Sequence, residues 1–187
     1  MSTGHAEPGS TRPGSPGPGS PDPGSPDPTE QSRWRPLHRV LAAMDEEIEL
    51  VYTENGLPDL KPSWVLEIIR LHARGPMTIA ELARSVGRTH SAMSQKVAAM
   101  RAAGWLETTA GPDARSKKVL LTPKAEQVAD KLAAEWRATE ATIAEIEAEI
   151  PYPLSRVADD IAAALEGKSF RSRILEKLAN DPSWTRS

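Results

Sequence analysis

Apolar side chains recur every three or four residues along much of the chain after residue 33, and this spacing predicts helices. The first apolar stripe consists of Trp34, Leu37, Leu41, Met44, Ile48 and Val51. Asn55-Gly56 ends this helix, since both residues favour turns. A second helix is expected over residues 63–73, where Gly75-Pro76 stops it.

The C-terminal third carries a longer stripe. Thr122 is placed to cap a helix that has Pro123 at its first position, where a missing N–H costs nothing. The stripe consists of Val128, Leu132, Trp136, Thr139, Ile143, Ile146 and Ile150. Residues 151–153 break the helix, and a last helix is expected from Leu154, continued after Gly167 by Phe170, Ile174 and Leu178.

Two shorter helices are predicted in the middle of the chain. Thr78 and Glu81 have the spacing of a capping box, in which each side chain bonds the backbone N–H of the other residue. The helix that follows ends at Gly87, and Thr89 caps the next one, expected over residues 90–103. Two helices joined by so short a turn indicate a helix-turn-helix.

A β-hairpin is predicted directly after this motif, with strands at 105–109 and 117–121 and a turn at 111–115. Helix-turn-helix and hairpin together make a winged helix. The expected fold is therefore mainly α with a small β-hairpin wing. The expected organisation is an N-terminal dimerisation helix at 33–60, the winged helix-turn-helix at 61–122, C-terminal dimerisation helices at 123–180 and a flexible end at 181–187.

Residues 1–32 differ in composition from the rest. Their first 30 positions hold 8 of the 17 prolines and 6 of the 12 glycines, and they include a five-residue repeat of Pro-Gly-Ser-Pro followed by Gly or Asp. With so few apolar side chains, this tail is expected to be disordered. The chain has no cysteine, no long apolar run and no secretory signal pattern, so a cytoplasmic protein without a thiol switch is expected.

Charge is divided sharply along the chain, although the net charge is only -3. Residues 61–124 carry 11 basic and 4 acidic side chains, whereas 1–60 and 125–170 each carry 4 basic and 10 acidic. A basic middle between acidic flanks indicates that the middle segment meets a polyanion.

The helix predicted over 90–103 has a distinctive outward face. Its apolar residues Ala92, Met93, Val97 and Met100 are expected to face the domain. The residues left facing outward are His90, Ser91, Ser94, Gln95 and Ala98. No acidic residue occurs from 86 to 106. Neutral hydrogen-bonding side chains suit the reading of base edges in a major groove, where Gln95 can bond adenine through two hydrogen bonds.

A set of DNA-contacting residues follows from this arrangement. At the hairpin tip, Arg115 is expected in a minor groove, with Asp113 orienting its guanidinium, and Lys117 and Lys118 are expected at phosphates. The full set is Arg88, Thr89, His90, Ser91, Ser94, Gln95, Lys96, Arg101, Asp113, Arg115, Lys117 and Lys118.

These residues resemble the MarR family of bacterial transcriptional regulators, over about residues 33–178. The matching segments are Glu81-Leu82-Ala83, Gly87, Thr89–Gln95, Gly104-Trp105-Leu106, Asp113–Ser116 and Leu121-Thr122-Pro123. The sequence departs from many relatives at His90, Gln95 and Ala114. The resemblance implies a homodimer that binds pseudo-palindromic duplex DNA, as a repressor whose binding a small ligand modulates. It also implies that the outward helix face and Arg115 carry the base contacts.

Other functions are less well supported. A winged-helix adaptor that binds a protein partner without binding DNA remains the alternative. The four histidines lack a zinc-ligand spacing, and no glycine-rich phosphate loop follows a strand, so no enzyme, cofactor or metal site is expected. Residues with an apolar body and a polar handle, which suit an effector pocket, are His38, Trp64 and His72.

Overall fold

The computed structural model describes residues 27–110 and 117–185. Its helices are a 3₁₀ turn at Pro28–Gln31, α1 (Arg35–Glu54), α2 (Pro62–Arg74), α3 (Ile79–Ser85), α4 (His90–Ala102), α5 (Pro123–Glu149), α6 (Leu154–Gly167), α7 (Phe170–Leu178) and α8 (Pro182–Thr185). Its strands are β1 (Met77–Thr78), β2 (Leu106–Ala110) and β3 (Lys117–Leu121). The described residues divide into two compact units, with the boundary between residues 48 and 49. The predicted fold class, mainly helical with a small wing sheet, is confirmed.

Four details differ from the sequence expectation. The 3₁₀ turn lies inside the tail expected to be disordered, where the Asp27 side chain accepts a hydrogen bond from the Thr29 N–H and caps it. The single last helix that was expected is divided into two helices, α6 and α7, because the Ser169 side chain caps α7 separately. Strand β1 and helix α8 were not expected, being only 2 and 4 residues long.

Local capping determines where the helices of the winged helix begin. The Thr78 hydroxyl accepts the Glu81 N–H, and the Glu81 carboxylate accepts the Thr78 N–H at 2.8 Å, so the predicted capping box is confirmed. These bonds from Thr78 hold the pKa of Glu81 below its ordinary value. Thr89 and Thr122 cap α4 and α5 with their side-chain oxygens, which accept the Ala92 and Ala125 N–H groups.

Two glycines end the helices of the motif. Gly87 and Gly104 have φ of +65° and +75°, in the left-handed region that disfavours side chains with a Cβ. The next residue then turns back: the Arg88 N–H donates to the Ala83 carbonyl at 2.9 Å, and the Trp105 N–H to the Met100 carbonyl at 3.0 Å. Both ends thus have the Schellman arrangement, which reverses the chain within a few residues.

The three strands form an antiparallel sheet in the order β1-β3-β2. Thr78 pairs with Lys118, and Leu106 pairs with Leu121. Alternate residues of β3, Val119 and Leu121, are buried beneath the helices. The sheet therefore holds the base of the wing against the helix-turn-helix.

The core consists of one side of each element of the winged helix. Its fully buried large side chains are Val65, Glu67, Ile68, Leu82, Met93, Met100, Trp105, Val119 and Leu132. Helix α5 enters this core through its first turns, where Ala125 and Ala129 are buried as well. The predicted α5 stripe is therefore only partly buried: Val128 is half-buried, while Ile146 and Ile150 are exposed.

Helices α6 and α7 bury no residue. Their large apolar side chains are instead exposed by about two fifths or more, at Leu154, Ile161, Leu165, Phe170, Ile174 and Leu175. In the first unit, Trp34, Val40 and Leu41 are likewise exposed. No helix in the described parts of the chain has the length and apolarity that a membrane crossing requires.

Candidate nucleic-acid interface

Helix α4 contacts the domain through a narrow stripe. Met93, Val97 and Met100 are buried, as expected, with exposed fractions of 0%, 2% and 0%. On the opposite side, the expected outward residues His90, Ser91, Gln95 and Ala98 are exposed. A hydrogen-bonding face is thus available along the first turns of this helix.

Two expectations for α4 are wrong. Ala92 is exposed rather than buried, and Ser94 is half-buried rather than outward. Each lies about 100° around the helix from Met93, in opposite directions. The buried stripe is too narrow to include Ala92, while Ser94 lies at its other edge.

The N-terminus of α4 is electrostatically open. Its first turn contains no acidic residue, so the partial positive charge of the helix end is not neutralised. Arg88 and Thr89 are both exposed at this end. The Thr89 oxygen accepts the Ala92 N–H at 3.3 Å, which leaves its hydroxyl hydrogen available to donate. Such an end suits a phosphate oxygen.

Further cations lie in the same winged helix. Arg101 is exposed in the last turn of α4, and Lys117 is exposed at the start of β3. Lys118 is half-buried. It lies opposite Thr78 and Thr109 in the sheet, and its charge is a minor cause of the lowered pKa of Glu81, after the hydrogen bonds from Thr78.

Lys96 differs from the other predicted phosphate contacts. Its Nζ lies 2.9 Å from the Glu67 Oε1 and donates to the Ser63 carbonyl at 2.6 Å. The Lys96 side chain is only 23% exposed, and that of Glu67 only 1%. The Lys96 charge is thus paired with a buried carboxylate of α2 instead of being free for a phosphate, as was expected.

Glu67 was not singled out from the sequence, although a signal was present. It is one of only 4 acidic residues in the basic segment 61–124. It also lies three residues after Trp64 and four before Leu71, on the face of α2 where periodicity calls for an apolar side chain. An isolated acid at a core position indicates a buried partner of opposite charge.

The predicted wing contacts Asp113 and Arg115 lie outside the described residues. Their assignment to a minor groove stays a prediction. The structure does bring the strands that flank them together, with Ala110 paired to Lys117.

The three candidate effector residues do not form one pocket. Trp64 lines a cavity of about 490 Å³, and the Lys61 Nζ lies 5.4 Å from the centroid of its ring. The other lining residues are Glu49, Thr53, Pro58, Asp59, Leu60 and Ala103. His72 lies two turns further along α2 and does not line this cavity, because its ring turns to α5. His38 is exposed in the first unit.

His72 joins α2 to α5. Its Nδ1 lies 2.8 Å from the Glu126 Oε2, and its Nε2 lies 3.5 Å from the Asp130 Oδ1. The hydrogen bond with Glu126 is the main cause of a raised pKa for His72. When protonated, the ring donates toward both carboxylates, so its charged form is stabilised in the folded state.

This arrangement predicts a pH dependence. The pKa of His72 is higher in the folded state than the ordinary 6.5. The protonated His72 therefore contributes its full stabilisation of the fold at pH values below 6.5. It is lost as pH rises through the folded-state pKa. We expect Glu126→Gln to return the pKa of His72 toward 6.5, as measured from ring proton shifts by NMR. His38 serves as the internal control, and an unchanged titration of His72 would contradict the pairing.

Comparison with known proteins agrees with this architecture. Residues 56–116 match the model of the MarR family. The S. aureus MepR–DNA complex is similar, with a TM-score of 0.54 and 13% identity over 73% of this chain and 97% of that one. The M. tuberculosis transcriptional regulator MosR in complex with DNA has a TM-score of 0.51 and 23% identity over 73% and 96%. The transcriptional regulator SlyA has a TM-score of 0.51 and 13% identity over 75% and 96%.

No curated protein matches the chain. The fold defines a winged-helix protein. Within this class, residues 56–116 match the MarR family, which confirms the resemblance found in the sequence for this segment, and the solved structures share the fold.

Proposed function

We propose that the protein is a homodimeric transcriptional regulator that binds a pseudo-palindromic duplex DNA site in a sequence-specific manner. Helix α4 enters the major groove, and the wing that contains Arg115 reaches the adjacent minor groove. The protein acts as a repressor, and a small ligand modulates its affinity for DNA.

The outward face of α4 carries this proposal. Ser91 and Gln95 are exposed neutral donors and acceptors on a helix whose first turn lacks acid. Exposed cations also occur just before α4, at Arg88, in its last turn, at Arg101, and at the start of β3, at Lys117. Neutral side chains in the centre suit base edges, and cations at the border suit phosphates. A protein-binding adaptor has no need of this division.

Dimerisation is supported by the apolar surface of α6 and α7. Six large apolar side chains on these helices are exposed, and neither helix buries a residue. Large exposed apolar side chains concentrated on two consecutive helices mark an interaction site. In a two-fold symmetric dimer, the apolar surface of α6 and α7 on each copy is covered by the other copy.

The cavity beside Trp64 supports modulation by a small ligand. Its volume, about 490 Å³, lies in the usual range for a small-molecule site. Its lining combines the apolar Leu60 and Trp64 with the polar Thr53 and Lys61. Ala103, which directly follows α4, also lines the cavity. A bound ligand would therefore contact the end of the helix that is proposed to enter the major groove.

Selection of duplexes from a random pool by the purified protein tests the proposal. We expect one enriched pseudo-palindromic sequence. Its affinity should fall with salt at a slope of log K against log salt of about -4 to -7, if each subunit makes two to four phosphate contacts. No enrichment, together with a slope near zero, would favour the adaptor.

Substitution of Gln95 tests the orientation of α4. Gln95→Ala should lower affinity for the selected site by about 1–3 kcal/mol for each lost base contact, and affinity for random duplexes only slightly. Gln127→Ala is the matched control, because Gln127 is exposed on α5 and away from the proposed interface. An equal loss on both duplexes would mean that Gln95 does not read a base.

A further inference from the structure

The contact between α4 and the rest of the domain contains few directional interactions. The buried stripe is Met93, Val97 and Met100. Apolar contact is not directional, and methionine side chains adapt readily to shifted neighbours. These three side chains therefore hold α4 against the core without strongly specifying its rotation about its own axis.

The ion pair between Lys96 and Glu67 supplies the directional contacts that the apolar stripe lacks. In residues 27–110 and 117–185, no other side-chain hydrogen bond or ion pair joins α4 to another element. The Lys96 Nζ is held at two points of α2, the Ser63 carbonyl and the Glu67 carboxylate. Because Glu67 is 1% exposed, its carboxylate is fixed by the packing around it.

Lys96 is well placed to control rotation. It lies at the border of the buried stripe, about 60° around the helix from Met93, and it directly follows Gln95. A rotation of about 20° moves a side-chain tip by about 2 Å, since the helix radius with side chains is about 5–6 Å. A displacement of that size breaks a hydrogen bond between Gln95 and a base edge.

The energetics of the pair favour a geometric role over a stabilising one. Desolvation of two charges largely cancels their attraction, so an apolar pair of similar volume is often as stable. In the described part of the chain, the Glu67 Oε2 also has no hydrogen-bond partner. This pair is thus a poor source of stability, whereas its two directional bonds restrict α4 to one orientation.

We propose that the buried Glu67–Lys96 ion pair sets the rotation of α4 about its axis and thereby determines which side chains face the bases. Both are positioning residues, and neither contacts DNA. This inference rests on the proposed DNA binding and adds to it the origin of sequence specificity.

The test is the double variant Glu67→Met, Lys96→Met, assayed against the selected duplex and random duplexes. We expect a folded protein whose operator-to-random affinity ratio is about 10- to 100-fold lower than that of the wild type. Affinity for random duplexes should change little. Lys131→Met is the matched control, because it removes one exposed positive charge without touching the contact between α2 and α4.

Each other outcome has a distinct meaning. An unchanged ratio in the folded double variant overturns the inference. An equal loss on both duplexes with a salt slope smaller in magnitude by about one unit per subunit overturns it as well, because Lys96 is then a phosphate contact. If the double variant does not fold, Glu67→Gln combined with Lys96→Met replaces it: a wild-type ratio there overturns the inference, and a lowered ratio supports it. Absence of operator preference in the wild type would reject the proposed function itself.

Discussion

Removal of residues 151–187 is expected to convert a dimer into a monomer. These residues include α6 and α7, in which no residue is buried and six large apolar side chains are exposed. A monomer engages one half-site at a time, so affinity for a two-half-site operator should fall by about 10²–10⁴-fold. Light scattering and binding to the selected duplex measure the two effects.

A point variant separates loss of the interface from loss of the fold. Ile161→Glu places a charge on the apolar side of α6, and burying it against a second copy is costly. Asp159→Asn, on an exposed position of the same helix, is the matched control. Deletion of residues 1–26 should leave the dimer intact. If the chain that lacks residues 151–187 stays dimeric and keeps its affinity, the assignment of the α6 and α7 surface to the dimer interface is rejected.

Trp105→Ala is expected to lower the free energy of unfolding by about 3–5 kcal/mol. Trp105 has no exposed surface, and it lies at the junction between α4 and β2. Its carbonyl accepts hydrogen bonds from the N–H and the hydroxyl of Thr122, and the Lys124 Nζ lies 4.3 Å from its ring centroid. Alanine would therefore leave a cavity where α4, β2 and the start of α5 meet.

Two control variants identify the origin of this loss. Trp105→Phe should cost clearly less, because most of the ring remains and the Nε1 has no hydrogen-bond partner among the described residues. Lys124→Ala should cost about 0.5–1 kcal/mol through the lost cation–π contact. Urea unfolding of the three variants measures these values. A loss for Trp105→Ala as small as that for Lys124→Ala would contradict the packing described for Trp105.

Much of the fold follows from rules that act within a few residues. Thr78, Thr89 and Thr122 predicted helix starts, and Gly87 and Gly104 predicted helix ends, because caps and left-handed glycines act through adjacent backbone groups. Helical spacing likewise predicted α1, α2, α5 and α6. Strand β1 did not follow from such rules, because it is a strand only through pairing with β3, which lies far along the chain.

For the candidate site, the residue types along α4 determined that its outward face is neutral, acid-free and able to hydrogen-bond. Tertiary packing decided how far each residue projects from it. Because of this packing, Ala92 is exposed and Ser94 is half-buried. Lys96, a predicted phosphate contact, is instead paired with Glu67. The sequence cannot show that last contact directly, since 29 residues separate its partners and only the packing of α2 on α4 brings them within 2.9 Å. Local periodicity determines which side of a helix is apolar, but the neighbouring helix decides which charge at its border is paired.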